Sequence, residues 1–531
     1  MKTSWLPFRI LRIVAPGAAI LIGLSAMPAM PAMAAPAATS FYVDCSATSN
    51  GNGTQARPWN ATSVVNSRTA GFAAGDKILF KAGSTCTGQL TPRGSGRSGS
   101  PITLGAYGQG TKPVVAAAAN QASALTLRDQ SWWTVTGLDF KGGTRQGVFV
   151  TVTTGVVRGI TLSNLTVRDV TGGTLDSKDT GLVVVSPTHD ASNSTSARFD
   201  QVLVDGVTAH DTTMWAGIII GTGTNADSWA ADESKRSTNV AIRNSTVYNT
   251  YGDGAVLFAV DNGLLEHNVV HDTGIQPTQT IGTPNAIWTW ACNTCTVQYN
   301  EAYHNDSPGA DGGAFDIDTF SRNTTVQYNY GHDNSSYCVA VFSAGSYVTT
   351  NSVIRYNVCA HNGTQNGGSR EEICFAVWSE GSINGVLIYG NTLVTSNGAF
   401  GAYNYNYAQA LFTGSLPRAF SNNIVYATSA NPYGTGNPDV PGAVLPGDYN
   451  DWYSTVGPWS NGEPHSVYAD PKLVDPAHSG AGSPGNAYDL KPTSPAINIG
   501  TAIANAGGHD FRGNPVPRGS GFDMGAVESP Y

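Results

Sequence analysis

Apolar and polar residues alternate with period two in a phrase that returns along the chain: IRNSTVYNT, LEHNVVHDT, VQYNEAYHN, VQYNYGHDN, IRYNVCAHN, IYGNTLVTS and FSNNIVYAT. Each copy meets turn residues and is followed by another short apolar run, such as GIIIG, GAVLF or CVAVF. This is the pattern of short strands at regular spacing. The shared Asn stands at 244, 268, 300, 329, 357, 391 and 423, so that copies lie between 24 residues (244 to 268) and 34 residues (357 to 391) apart. Weaker copies, LSNLTVRDV and LVDGVTAHD, put Asn164 and Gly206 in the same slot.

A unit of about thirty residues with two or three short strands cannot bury its apolar side alone. Copies must stack, each strand pairing in parallel with its counterpart in the next coil. The predicted fold is therefore all-β: a right-handed parallel β-helix, a solenoid with an N-terminal cap and a C-terminal closing segment. The recurring Asn fits a turn, where side-chain amides can bond from coil to coil and where Asn tolerates a left-handed backbone. A propeller would need a longer period and a repeated Trp-Asp or Gly-His signature, and neither occurs.

The opening FYVDCSATSNGNGTQARPW, then GDKILFKAGSTCTGQL and SPITLGAYG, is similar to the usual N-terminal coils of exported right-handed β-helix proteins. The ending SPAINIG…DFRGNPVPRGSGFDMGAVE resembles their closing segment. The chain thus resembles the pectate-lyase-like superfamily, many of whose members cut polysaccharides. On this reading residues 1–34 are a signal peptide, 35–125 the cap and first coils, 126–428 the central coils with the candidate site, and 429–531 the last coils and closing segment.

Aligning coils on the Asn allows each following strand to be compared: GIIIG (217–221), GAVLF (254–258), AIWTW (286–290), AFDID (314–318), CVAVF (338–342) and CFAVW (374–378). Strand side chains alternate between faces. Ile287, Phe315, Ile317, Val339, Val341, Phe375 and Val377 form the predicted core. The other parity carries Trp288, Trp290, Asp316, Asp318, Phe342 and Trp378, predicted to face solvent and to form a carbohydrate groove. Coils lie about 4.8 Å apart and i,i+2 residues about 6.6 Å apart, which brings Trp290, Asp318 and Phe342 within one or two sugar rings of each other.

Two carboxyl groups roughly 6.5–9.5 Å apart suit an inverting glycosidase, one donating a proton and one activating water. Asp316 and Asp318 are the expected pair, with Asp311 as third carboxylate and Asp253 and Glu380 as further candidates in the groove. The alternatives are solvated Asp, or Asp residues ligating Ca2+; otherwise no cofactor is expected. His210, His271, His304, His332 and His361 follow the repeated Asn by three or four residues, the mark of a structural turn column.

Composition narrows the partners. Charged residues make up 12% of 531, and the net charge of −9 comes with no Lys/Arg cluster beyond the N-terminus, which argues against nucleic acid. Lys2, Arg9 and Arg12 precede IVAPGAAILIGLSAM and a small-residue stretch with Ala32-x-Ala34 spacing, a secretory pattern too short to span a membrane. The expectation is an exported monomer with no membrane partner, acting on a polysaccharide. Seven cysteines then favour disulfides with one thiol left over. Cys292 and Cys295 are expected to bridge locally, in preference to forming half a zinc site; Cys338 and Cys374 align on neighbouring coils, and Cys45 can pair with Cys86.

The polygalacturonases of this fold carry an adjacent Asp-Asp, a Gly-His-Gly and an Arg-x-Lys. Here there is Asp-Ile-Asp and neither of the other two. A glycoside hydrolase on a neutral or mixed polysaccharide is the first reading. The second is a Ca2+-dependent polysaccharide lyase, with Arg355 or Arg370 as base, although the Trp-Ile-Asp-His signature of pectate lyases is missing. The third is a non-catalytic carbohydrate-binding or adhesive protein.

Overall fold

One turn of the chain shows how the molecule is built. Thr296–Gln298 forms a strand, two residues turn the corner into Glu301–Tyr303, a longer excursion leads to Phe315–Ile317, and the chain returns to Thr325–Gln327 beside its starting point. Repetition of this circuit gives three sheets of 14, 13 and 10 strands, and among the described residues every strand pair within them is parallel, as in Thr296↔Thr325, Glu301↔Tyr330 and Ile287↔Phe315. This is the expected right-handed parallel β-helix. The computed structural model describes residues 38–173, 178–188, 196–221, 232–275, 284–307, 311–363, 371–378, 381–402, 420–434 and 447–531. The predicted signal peptide lies outside them. Among the described residues no helix is long and apolar enough to cross a membrane.

The interior is a continuous apolar column that includes Ile218, Ile220, Leu257, Ile287, Phe315, Ile317, Val339, Val341 and Phe375. The predicted core set therefore points inward, apart from Val377, whose side chain is not among those described.

The repeated Asn proves to be an interior ladder. Asn300 Nδ2 donates to Asn329 Oδ1 (3.0 Å), Asn329 to Asn357 (2.9 Å), Asn357 to Asn391 (3.0 Å) and Asn391 to Asn423 (2.9 Å), all of them buried. The ladder also takes in Asn268 and Asn450. The left-handed residue is the one before each Asn: His267, Tyr299, Tyr328 and Tyr356 have φ of 53°, 55°, 57° and 50°. Asn244, with φ 51° and an exposed side chain, belongs to that preceding column, together with Asn164 and Gly206. The nine-residue phrases align, but the first copies are shifted by one position relative to the ladder. A second buried ladder, Asn305 to Asn334 to Asn362, ends on Glu372, which accepts the Asn362 amide at 2.8 Å.

The histidines divide between two adjacent columns. His210, Tyr248, His271, Tyr303 and His332 stack ring on ring at 4.8–5.1 Å. His304 and His361 occupy the neighbouring left-handed position, with φ of 51° and 58°. The first column lies in strands, within Thr208–Thr212, Val269–His271 and Tyr330–His332, and only His304 and His361 stand at turns, so the expected single turn column divides in two.

Residues beyond Ser454 carry no long strand and run back against the coils. Arg355 Nη1 donates to Asn505 O at 2.8 Å, Tyr299 Oη lies 2.6 Å from His509 Nε2, and Ala526 N donates to Thr392 Oγ1 at 2.9 Å. Leu473, Leu490, Met524 and Ala526 bury the outer face of the 13-stranded sheet around Val358, Val394 and Ile424.

Cys45–Cys86 and Cys292–Cys295 are bridged as expected. Cys338 pairs with Cys359, and Cys374 is the buried free thiol. The expected Cys338–Cys374 bridge fails because register places Cys374 beside Ala340, two residues along from Cys338. The other five aligned coils keep the register read from sequence.

Candidate active site

The 10-stranded sheet turns the Trp288, Asp316 and Ala340 parity away from the interior, with Val256↔Trp288↔Asp316↔Ala340 on successive rungs. Parity was read correctly; the expected exposure was not found. Asp316 is 1% exposed, Trp288 2%, Trp290 7% and Phe342 2%. The outward residues pack on one another instead of standing open. Trp215, Phe258, Trp288 and Trp290 form one apolar cluster, and Tyr337, Ala340, Phe342 and Cys374 another. Phe258 meets Trp288 edge to face at 4.9 Å, and Tyr337 meets Phe342 at 5.7 Å. These rings wall the carboxylates rather than offering an open platform for sugars.

Three acids meet between these clusters. Asp316 Oδ2 accepts Asn285 Nδ2 at 3.2 Å, and Asp316 Oδ1 meets no partner among the described residues. Burial, then the nearby Asp318 and Asp311 carboxylates, push the Asp316 carboxyl well above its ordinary range. Asp318 is only half-buried; its Oδ1 accepts the Thr319 backbone N–H and, at 2.8 Å, the Thr319 hydroxyl. Desolvation still raises its pKa, against the pull of the Thr319 bonds and Lys178. Asp311 is also half-buried and lies 2.9 Å from the Tyr337 hydroxyl. It sits before the strand Phe315–Ile317, at a left-handed φ of 68°.

Asp253 is fully buried, so it does not line a groove. It accepts the Trp215 indole N–H and the Asn285 backbone N–H (3.0 Å), and burial raises its pKa. Lys178 Nζ stands 3.8 Å from Asp253 Oδ2 and over the Trp288 and Trp215 rings at 4.4 and 4.9 Å. It supplies positive charge to Asp253, Asp316 and Asp318, whose crowding otherwise disfavours ionisation.

Trp378 lies in the strand Ile373–Trp378, paired with Ala344, and its side chain is not described. Glu380 and Arg370 fall outside the described residues. Arg355 stands on the 14-stranded sheet, bonded to Gln327 and Tyr389, and not beside these acids; Lys178 is the cation found there instead.

Sequence reasoning missed Lys178, Trp215, Asn285 and Tyr337. Asn285 and Tyr337 occupy the same kind of position, immediately ahead of AIWTW and CVAVF, and an alignment extended one residue upstream finds them. Lys178 lies between repeats, where no periodic signal exists.

No family model matches the chain. Over 92% of its length it is 26% identical to a lacto-N-biosidase of Bifidobacterium longum subsp. longum, and it spans 36% of that protein, about a third. The GH136 lacto-N-biosidase from Eubacterium ramulus, in native form, superposes with a TM-score of 0.54 at 20% identity, covering 81% of this chain and 68% of that one. Its selenomethionine derivative gives 0.52 at 23% identity over 70% and 67%. These structural likenesses show a shared β-helical fold.

Proposed function

We propose that the chain is a glycoside hydrolase in which Asp318 is the general acid and Asp311 the ionised partner carboxylate. The observation that carries this reading is the graded burial of three acids in one cluster. A reacting group must touch substrate, and only Asp311 and Asp318 keep solvent access; Asp316 is shut in behind them. The expected Asp316–Asp318 pair is therefore replaced by Asp311 and Asp318.

Their surroundings separate the roles, which is how two carboxyl groups divide acid and base work. Desolvation raises Asp318 and favours the protonated form that can donate to a leaving oxygen. The Tyr337 hydroxyl beside Asp311 favours an ionised acceptor, able to act on the sugar or on water from the other side. The similarity to lacto-N-biosidases supports a substrate among oligosaccharides or glycans that end in lacto-N-biose. The three disulfides suit an oxidising compartment, in line with the proposed export.

The test is hydrolysis of the 4-nitrophenyl glycoside of lacto-N-biose and of a polysaccharide panel, reading reducing ends and the ultraviolet absorbance of unsaturated products. Wild type should yield reducing ends without that absorbance. Asp318→Asn and Asp311→Asn should each lower kcat by about 10²–10⁴-fold with the fold retained. Loss of less than about fivefold in both variants refutes the assignment. Ultraviolet-absorbing products refute hydrolysis.

A further inference from the structure

The hydrogen bonds behind the acids have a direction that the backbone fixes. Gly313 N–H donates to Asn285 Oδ1 at 2.9 Å, which settles which end of the Asn285 amide is oxygen and turns Nδ2 toward Asp316. Gly313 is needed for this approach, since a Cβ there would come within 2.1 Å of the Tyr337 ring. The Asn285 backbone N–H is itself held by Asp253, which Lys178 balances. The Tyr337 hydroxyl then faces two acceptors at the same distance, Asn285 Oδ1 and Asp311 Oδ1, each 2.9 Å away. A phenol has one proton to give. Asn285 Oδ1 already takes the Gly313 N–H, and a bond to an ionised carboxylate is about twice as strong as one to a neutral amide. The proton goes to Asp311.

We propose that Tyr337 and Asn285 are positioning residues for the acid cluster: the Tyr337 hydroxyl holds Asp311 as the ionised partner, and the Asn285 amide fixes Asp316 behind it. The assignment rests on Asp311 and Asp318 being the reacting pair. Among the described residues, the ionisable groups facing the Tyr337 hydroxyl are Asp311, Asp316 and Cys374, and those facing Asp316 are Asp318, Asp311, Lys178 and Asp253. Burial and these negative neighbours push the Tyr337 phenol well up, so it stays a donor throughout the working pH range.

The experiment is a carboxyl-carbon NMR titration of the full chain labelled with ¹³C-aspartate, with the Asp311 signal assigned by its loss in Asp311→Asn. In Tyr337→Phe, removal of a bond to the charged form should raise the Asp311 titration by about one to two pH units. The acidic limb of the kcat/KM profile should move up with it. Site-specific 3-fluorotyrosine at position 337, nearly identical in shape with a more acidic hydroxyl, should move both in the opposite direction, which keeps the test available if the Phe variant does not fold. An Asp311 titration unmoved by the substitution that folds overturns the proposal, even if turnover falls, because a merely structural ring lowers rate without moving that titration. A shifted titration in a protein that cleaves no glycoside sustains the positioning roles and removes the hydrolase reading.

Discussion

Substitution of one rung of the interior Asn ladder should cost far more than substitution of its surface counterpart. The Asn357 side chain takes part in four buried hydrogen bonds: Nδ2 donates to Val326 O (3.0 Å) and Asn391 Oδ1 (3.0 Å), and Oδ1 accepts Asn329 N (3.0 Å) and Asn329 Nδ2 (2.9 Å). Asn357→Ala removes all four and leaves the Asn329 backbone N–H buried without that acceptor. With about 1 kcal/mol net per bond and a further 1–3 kcal/mol for an orphaned buried donor, part of it relieved by relaxation, the loss is about 4–6 kcal/mol. Asn244 sits one position earlier in its coil, exposed, at φ 51°, with a single bond to Asp205 Oδ1. Asn244→Gly keeps the left-handed backbone open and should cost about 0–1 kcal/mol. Urea unfolding, followed by tryptophan fluorescence and far-ultraviolet circular dichroism, measures both. Costs within about 1 kcal/mol of each other would show that the two Asn columns do not differ in the way their hydrogen bonds require.

Denatured without reductant, the chain should titrate one thiol, Cys374, and the native protein none, since that thiol is buried; a count of three would mean that one of the bridges is absent. Replacing Cys338 and Cys359 together by Ser should lower stability by about 3 kcal/mol from the 21-residue separation they close, measured by thermal unfolding at fixed pH. Glu372, buried at the end of the second ladder, has its pKa pushed up to about 8 by burial. The unfolded chain ionises this group near pH 4.5 while the folded one keeps the proton, so its contribution to stability falls as pH rises from about 4.5 to about 8, by at most about 4–5 kcal/mol. Glu372→Gln should flatten that slope in urea midpoints measured between pH 5 and 8, leaving the part owed to other raised acids such as Asp316 and Asp451; an unchanged slope would refute it.

The solenoid was legible because its evidence is repetitive. Seven phrases sharing one Asn, each followed by a short apolar run, determine both the strands and their register, since a slip by one residue would turn Phe315 and Ile317 out of the core. Two errors came from positions where repetition weakens. IRNSTVYNT has a Ser in the ladder slot and its Asn one place earlier, and a sequence phrase cannot distinguish a left-handed Asn from a hydrogen-bonded interior one. Alignment on the repeated Asn sets CFAVW against CVAVF, whereas the structure pairs Ala340 with Cys374, so a two-residue difference in register separates Cys374 from Cys338 and the expected disulfide does not form.

The site was legible only in direction. Parity says that Asp316 points away from the core, and it does; parity is silent on what lies beyond the sheet. Where the outward residues of neighbouring coils are Trp215, Phe258, Trp288 and Phe342, side chains as large as these reach their neighbours about 4.8 Å along the axis and close over whatever lies between them. A carboxylate set among such rings loses water without leaving the outer face. Its exposure then depends on its distance from the strand's centre: Asp316, mid-strand, is sealed, while Asp311 and Asp318, on either side of Phe315–Ile317, reach the edge of the aromatic cover. The same geometry explains why Asn285 and Tyr337 matter. A sealed acid cannot be oriented by water, so a residue at the corner of an adjacent coil must supply its hydrogen bond, as Asn285 does for Asp316, and that corner lies just ahead of the strand that the repeat aligns.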